Sequence, residues 1–372
     1  MKVVKLKDIC TKGSSSLKQK DVQNGNGQYP VYGAGGIAGY IDSYHQEKEY
    51  IGIVKDGSGI GRVMFLPPKS SVIGTLQYIL PKPGYDINYI GYCLKSLDLA
   101  SHKQGAAIPH IYFKDYGEKL VNVEESLDEQ RKIVAKLNAT FERIDKMQSN
   151  AEQAYEEARK LLNSALESIF TPQDNWHKKE IQDIVDQGTS ISYGIVQPGD
   201  DVQDGTPVIR PVDLGPEELS LSDSFKRTTN TISNGYKRTI LNGKEILMCV
   251  RGTTGIVSLS NQTLIGCNVT RGIVPFKISS DTIRKYIYYW LQSPIAIDYI
   301  QKKTKGAALK QINIADVKKI PVYIPTNNQE IISITNKIQF ITSRVIQLKH
   351  NMINMMDKHI LLKQAILKET FE

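Results

Sequence analysis

The sequence predicts an α+β protein written twice: two tandem mixed α/β domains, each followed by one long helix, with the two helices packed as an antiparallel coiled coil in pseudo-two-fold symmetry. Three observations predict it. Short motifs of the first half return in the same order in the second. Each half ends in a long segment whose apolar residues recur in alternating steps of three and four. The stretches before those segments are glycine-punctuated and rich in Ile, Val and Tyr, as short strands are.

The repeat opens with LKDICTKG from Leu6 and IQDIVDQG from Ile181. YPVY from Tyr29 then matches TPVI from Thr206, IVKDGSGIGRV from Ile53 matches CVRGTTGIV from Cys249, and VIGT from Val72 matches LIGC from Leu264. Further on, YIGYCLKS from Tyr89 matches YIYYWLQS from Tyr286, GAAIPHI from Gly105 matches GAALKQI from Gly306, and DEQRKIV from Asp128 matches NNQEIIS from Asn327. The periodic segments follow. In the first, Val134, Leu137, Phe141, Ile144, Gln148, Ala151, Tyr155, Ala158, Leu162, Ala165 and Ile169 form a heptad seam. In the second, Ile331, Ile334, Ile338, Ile341, Val345, Leu348, Met352, Met355, His359, Leu362 and Ile366 do the same.

Such seams predict helices of about 44 residues, roughly 66 Å long. Neither helix buries its stripe alone, and tandem repeats related by a two-fold axis would set the pair antiparallel. The polar seam residues Gln148 and His359 fit a role in fixing register. Pro172 and its neighbours end the first helix, and Pro325–Asn327 introduces the second. The expected division is a first domain over 1–126, a first long helix over 127–172, a second domain over 173–326 and a second long helix over 327–372.

A chain of 372 residues has room for two or three domains, and 40% hydrophobic with 23% charged residues is ordinary for a globular protein. The opening MKVVKLKDIC lacks the apolar core of a signal peptide, and no uncharged apolar run reaches membrane-spanning length, so a cytoplasmic protein with no membrane partner is expected. Cys10, Cys93, Cys249 and Cys267 are far apart, and the six histidines form no ligand-spaced cluster, so no metal site is expected. The net charge of +8 and a pI near 9.0 favour a polyanionic partner, with nucleic acid first among the candidates.

Gly33, Gly35 and Ala38 fall at the spacing of the dinucleotide fingerprint G-x-G-x-x-A. That fingerprint works only where a strand feeds a helix whose free N–H groups hold a pyrophosphate. Here Gly39–Tyr44 continues with β-formers and turn-formers, and two strands joined by a tight loop are expected instead. No Walker loop and no nucleophile elbow occur. DGSG at Asp56 has RGTTG at Arg251 as its counterpart, so its acid is not shared.

What both halves retain at that place is a basic residue, glycines and a hydroxyl: Lys55, Gly57, Ser58 and Gly61, with Arg62 after them, and Arg251, Gly252, Thr253 and Gly255. Such loops approach a phosphate backbone closely and donate to it, although plain β-turns use the same residues. More donors flank the GAA elements: His102, Lys103, Gln104 and His110 in the first half, Lys302, Lys303, Lys305, Lys310 and Gln311 in the second. Arg227, Lys237, Arg238 and Arg271 add to the second. Lysines suit phosphates, whereas Gln and Arg pair with base edges; a solvated surface uses the same residue types.

In YPVYGAGGIAGY, KDGSGIGRV, YIGYCLKS, GAAIPHI and LDEQRKIV, with their order, repetition and paired helices, nearly the whole chain resembles the DNA-specificity subunit of type I restriction-modification systems. The resemblance implies two target recognition domains and a subunit with no catalysis and no cofactor of its own. Its implied partners are double-stranded DNA, two methyltransferase (modification) subunits that bring S-adenosylmethionine, and restriction/translocase subunits that bring ATP and Mg. The second half carries IRPVDLGPEE where the first has YGAGGIAGYI, so an asymmetric bipartite target is expected. Two alternatives stand beside this: an enzyme binding a nucleotide cofactor at Gly33, Gly35 and Ala38, and a coiled-coil scaffold with no DNA role.

Overall fold

The computed structural model describes every residue except 23–24, 106–108 and 308. The chain folds into two compact units, the first formed by Met1–Glu152 together with Asn351–Glu372 and the second by Gln153–His350.

In the first unit a four-stranded antiparallel sheet runs in the order Cys10–Ser14, Leu76–Pro81, Tyr50–Val54, Val63–Leu66. The strand YIGIV is buried along its whole length, and its near-continuous apolar run is what burial on both faces requires. Helix Ile87–Ser96 covers this sheet. Asp86 caps it by accepting from the N–H groups of Asn88 (2.9 Å) and Tyr89 (3.1 Å). Its fully buried Tyr89, Ile90, Cys93 and Leu94 join Ile51 and Ile53 in the core, each contributing about 1.5–3 kcal/mol for a large apolar side chain. A three-stranded sheet sets Tyr29–Gly33 between Gly36–Ile41 and Ser71–Val72, and a two-stranded one pairs Lys2–Lys5 with Leu120–Val123.

The second unit repeats this inventory. Glu245–Cys249 is the equivalent inner strand, flanked by Val257–Ser260 and Ile273–Lys277, with Glu218–Leu219 at the edge. Thr206–Ile209 lies between Lys226–Thr228 and Asn268–Val269, and Trp176–Glu180 pairs with Pro321–Pro325. The covering helix is Asp281–Trp290.

Strand register corrects one of the sequence matches. Val31 and Tyr32 lie parallel to Ser71 and Val72, and Val208 and Ile209 lie parallel to Asn268 and Val269. VIGT from Val72 therefore corresponds to VTRG from Val269, not to LIGC from Leu264. The backbone agrees: Ile73 N donates to Tyr32 O and Thr270 N to Ile209 O, both at 2.9 Å. Two apolar residues followed by glycine recur by composition alone; a ladder partner does not.

The long helices are Leu127–Ile169, of 43 residues, and Asn328–Phe371, of 44. In the first unit Val134 and Leu137, near the start of one, share a core with Leu367 and Phe371, at the end of the other. In the second unit Leu166 and Phe170 share a core with Ile331 and Ile338. Start against end in both places is the antiparallel course expected. The second seam departs from the expected spacing at one point, where Leu362 is 46% exposed. The seam steps from His359 to Lys363, because a strict seven-residue repeat drifts around a 3.6-residue helix. Lys363 holds its amine over the Phe141 ring, 5.6 Å from the centroid, and donates from it to Asp145.

Candidate nucleic-acid interface

The Gly33, Gly35, Ala38 stretch is a β-hairpin. Gly33 pairs with Gly36 across the turn, and no helix follows. A fingerprint in this geometry offers no helix N-terminus to a pyrophosphate. The tip carbonyl of Ala34 accepts instead from Arg62 Nη1 at 2.9 Å, so Arg62 braces the hairpin.

The loop after each inner strand is tied to the loop of the GAA element. In the first unit Gly57 N donates to Pro109 O (2.9 Å), Ile111 N to Lys55 O (2.9 Å), and Gln104 and His110 exchange both backbone bonds at 2.8 Å. In the second, Gly252 N donates to Lys310 O (2.8 Å), Ile312 N to Val250 O (3.0 Å), and Lys305 and Gln311 exchange both bonds at 2.8 Å. Gly57 and Gly252 have φ of 82° and 91°, a conformation that side chains with a Cβ resist. Ala106, Ala107, Ile108 and Ala308 of the GAA elements lie outside the described residues.

These bonds set the correspondence between the loops and correct the sequence pairing. Lys55 matches Val250, and Arg251 matches Asp56, because each of the latter two bridges to the equivalent His110 or Gln311. The second loop is one residue shorter: Gly61 N closes on Val54 O, and Gly255 N on Cys249 O. Counting from the glycines alone hides that deletion.

Chemically the two loop pairs differ. In the first unit Asp56 holds His110 Nδ1 at 2.7 Å and also Lys55 Nζ. Partial burial works against its charge, but the hydrogen bonds from His110 and Lys55 prevail and hold the carboxyl below its ordinary range. Ser58, Lys103 and Gln104 are exposed, with Gln104 Nε2 donating to Asp115 at 3.0 Å. His102 ends a short turn, and its Nε2 is buried without a partner.

In the second unit no acid stands in that place. Arg251, Arg271 and Gln311 line one cleft of about 220 Å³ with Tyr193 and Val196, and Arg251 Nε has no partner. Thr253, Lys305 and Lys310 are exposed beside it. Lys310 and Thr253 also line a cleft of about 490 Å³ with Thr304. Lys302 pairs with Asp298 (2.7 Å) and Lys303 with Asp316 (3.8 Å) at the end of helix Pro294–Lys303.

Arg227 donates to Gly205 O at 3.1 Å, and Lys237 and Arg238 sit exposed on a short turn. Among the described residues no hydrogen bond or ion pair joins these three to the loop pair. A roomier cleft of about 910 Å³ in the first unit, between Pro68, Tyr85, Ile87 and Leu127, lies away from the loops. Sequence reasoning set Asp56 aside and missed Tyr193 and Val196. Only the register of the loops could have signalled them.

The family model for the type I restriction modification DNA specificity domain matches residues 1–153 and again residues 173–354. The chain belongs to that family. Each match takes in one loop pair. The type I restriction enzyme EcoBI specificity subunit of Escherichia coli is 25% identical over 206 residues, 55% of this chain; the match spans 42% of that relative's own length. A solved chain described under complex assembly and conformational transition of the type I R-M system aligns over 99% of this chain and 96% of its own, with 16% identity and a TM-score of 0.71. The HsdS subunit of Thermoanaerobacter tengcongensis aligns over 99% and 95%, with 16% identity and a TM-score of 0.55. Both likenesses concern the fold. No helix among the described residues is long and apolar enough to cross a membrane.

Proposed function

We propose that the chain is the non-catalytic DNA-reading subunit of a type I restriction-modification complex, with each unit set against one half of an asymmetric bipartite duplex target. The observation that carries this is the loop pair, built by the same backbone bonds in both units yet furnished with different donors. A shared frame holds each loop at a fixed place, and different side chains on it select different bases. Two modification subunits supply S-adenosylmethionine and methyl transfer; restriction subunits supply ATP-driven translocation and cleavage. The chain works in the cytoplasm.

Methylation-sensitive sequencing of DNA from cells carrying this chain with its modification subunits tests the reading. The expected result is one bipartite, non-palindromic modified motif that disappears when the chain is deleted; a modification pattern indifferent to the chain overturns it. The purified chain alone is expected neither to methylate nor to cleave duplex DNA. At the loops, Lys55→Ala and Arg251→Ala are each expected to weaken duplex binding. Arg251→Ala should also flatten the dependence of log K on log salt, by about 0.9 for each phosphate that the arginine neutralises. Unchanged affinity in both variants would return the loops to ordinary turns.

A further inference from the structure

We propose that Asp56 restrains the charge of the first loop pair, so that the first unit grips phosphates weakly and depends on base contacts, while the second unit, with Arg251 in the equivalent place, supplies the phosphate grip. The inference rests on the reading of both loop pairs as DNA contacts.

The two loops correspond at their bridged positions, because the same backbone bonds define both there. Asp56 stands where Arg251 does, His110 where Gln311 does, Pro109 where Lys310 does, and Gln104 where Lys305 does. Each of these four exchanges makes the second unit more positive or removes an acid's partner; the neighbouring exchange of Lys55 for Val250 runs the other way, but Lys55 is already held by Asp56. Asp56 holds both Lys55 and His110, and the three side chains keep 26%, 21% and 37% exposure for Lys55, Asp56 and His110. They are therefore at the surface, with their polar atoms already engaged with one another. A phosphate approaching this loop meets a carboxylate between two bases. One approaching the second loop meets Arg251 and Arg271 in one cleft, with Lys305 and Lys310 exposed on the bridged loop around Gln311.

The backbone does not require an acid at this place. Arg251 makes the same bridge to Gln311 that Asp56 makes to His110. Asp56 is thus a positioning residue, acting through Lys55 and His110, and the second unit shows which replacements the frame accepts.

The test measures binding of the full chain, assembled with its modification subunits, to a mixed-sequence duplex and to its own mapped target across a salt series. Asp56→Asn is expected to tighten binding to the mixed-sequence duplex by up to about eightfold at 0.1 M salt and to steepen the salt slope by about 0.9, as one further displaced counterion does. Preference for the target over mixed sequence should fall by a similar factor. Asp56→Arg, patterned on Arg251, should steepen the slope further, and Asp56→Glu should restore the original slope. Weaker or unchanged binding by Asp56→Asn overturns the restraint, even where Lys55→Ala and Arg251→Ala weaken binding as the loop reading expects. If those two variants also leave binding unchanged, the loop reading falls and this inference with it.

Discussion

Gln130 shows how much one side chain can organise. It is fully buried at the start of a long helix; its Nε2 donates to Glu124 O (2.7 Å) and Gly84 O (3.3 Å), and its Oε1 accepts from Asp86 N (2.7 Å). The helix is thereby tied to the cap of helix Ile87–Ser96. Gln130→Leu leaves those backbone groups unpaired in the interior, and a loss of about 2–4 kcal/mol in urea unfolding is expected. A change below about half a kcal/mol would mean that water replaces the amide. The counterpart by sequence, Gln329, is exposed, and in the second unit Glu330 does the anchoring by accepting from Trp176 Nε1 at 2.8 Å. Asp56 contributes through charge at the same scale. Its lowered pKa means that its stabilising bonds are complete above the ordinary carboxylate pKa and are lost as pH falls through the depressed folded value. The acid limb of the unfolding profile is expected to shift in Asp56→Asn, while stability near neutrality is also reduced.

At the scale of the element, the slipped seam is open to a direct test. Leu362 belongs to the apolar repeat by counting yet faces outward, whereas Leu367 is 5% exposed within the core of the first unit. Leu362→Lys is expected to change stability by no more than about 0.5 kcal/mol. Leu367→Ala should cost about 2–5 kcal/mol as a core truncation. Thermal or urea unfolding of the two variants distinguishes them, and equal losses would place Leu362 back in the seam. His359, 7% exposed with an unpartnered Nδ1, sits at the seam position assigned to it from the heptad count.

At the scale of the whole molecule, the modular reading is tested by exchange. The core of the second unit takes in Leu166 and Phe170 before residue 173 and Ile331 and Ile338 after residue 326. Exchanging 173–326 alone would set foreign sheets on native helix faces, so the cleaner exchange is 153–350. Such a chimera with a related subunit is expected to alter one half of the methylated motif and leave the other unchanged; a change in both halves counts against one domain per half-site. The long helices are expected to fix the gap between half-sites. One heptad added to each, after Glu152 and after His350, keeps both seams in phase and adds about 10 Å of helix. A longer spacer with both half-site sequences intact is expected from methylation-sensitive sequencing, and an unchanged spacer in an active complex would sink the idea.

The sequence by itself determined the duplication, the two long helices to within a residue of their length, the hairpin at Gly33–Gly36 and the basic character that points to nucleic acid. Each is a local or additive property: periodicity, propensity or charge survives without knowing what lies opposite. The correspondence of Arg251 with Asp56 and of Val269 with Val72, the step from His359 to Lys363 and the buried bonds of Gln130 came only from the tertiary structure. All four are questions of partner. A glycine loop one residue shorter reads the same along the chain, and only the backbone bonds across it decide which side chain stands where.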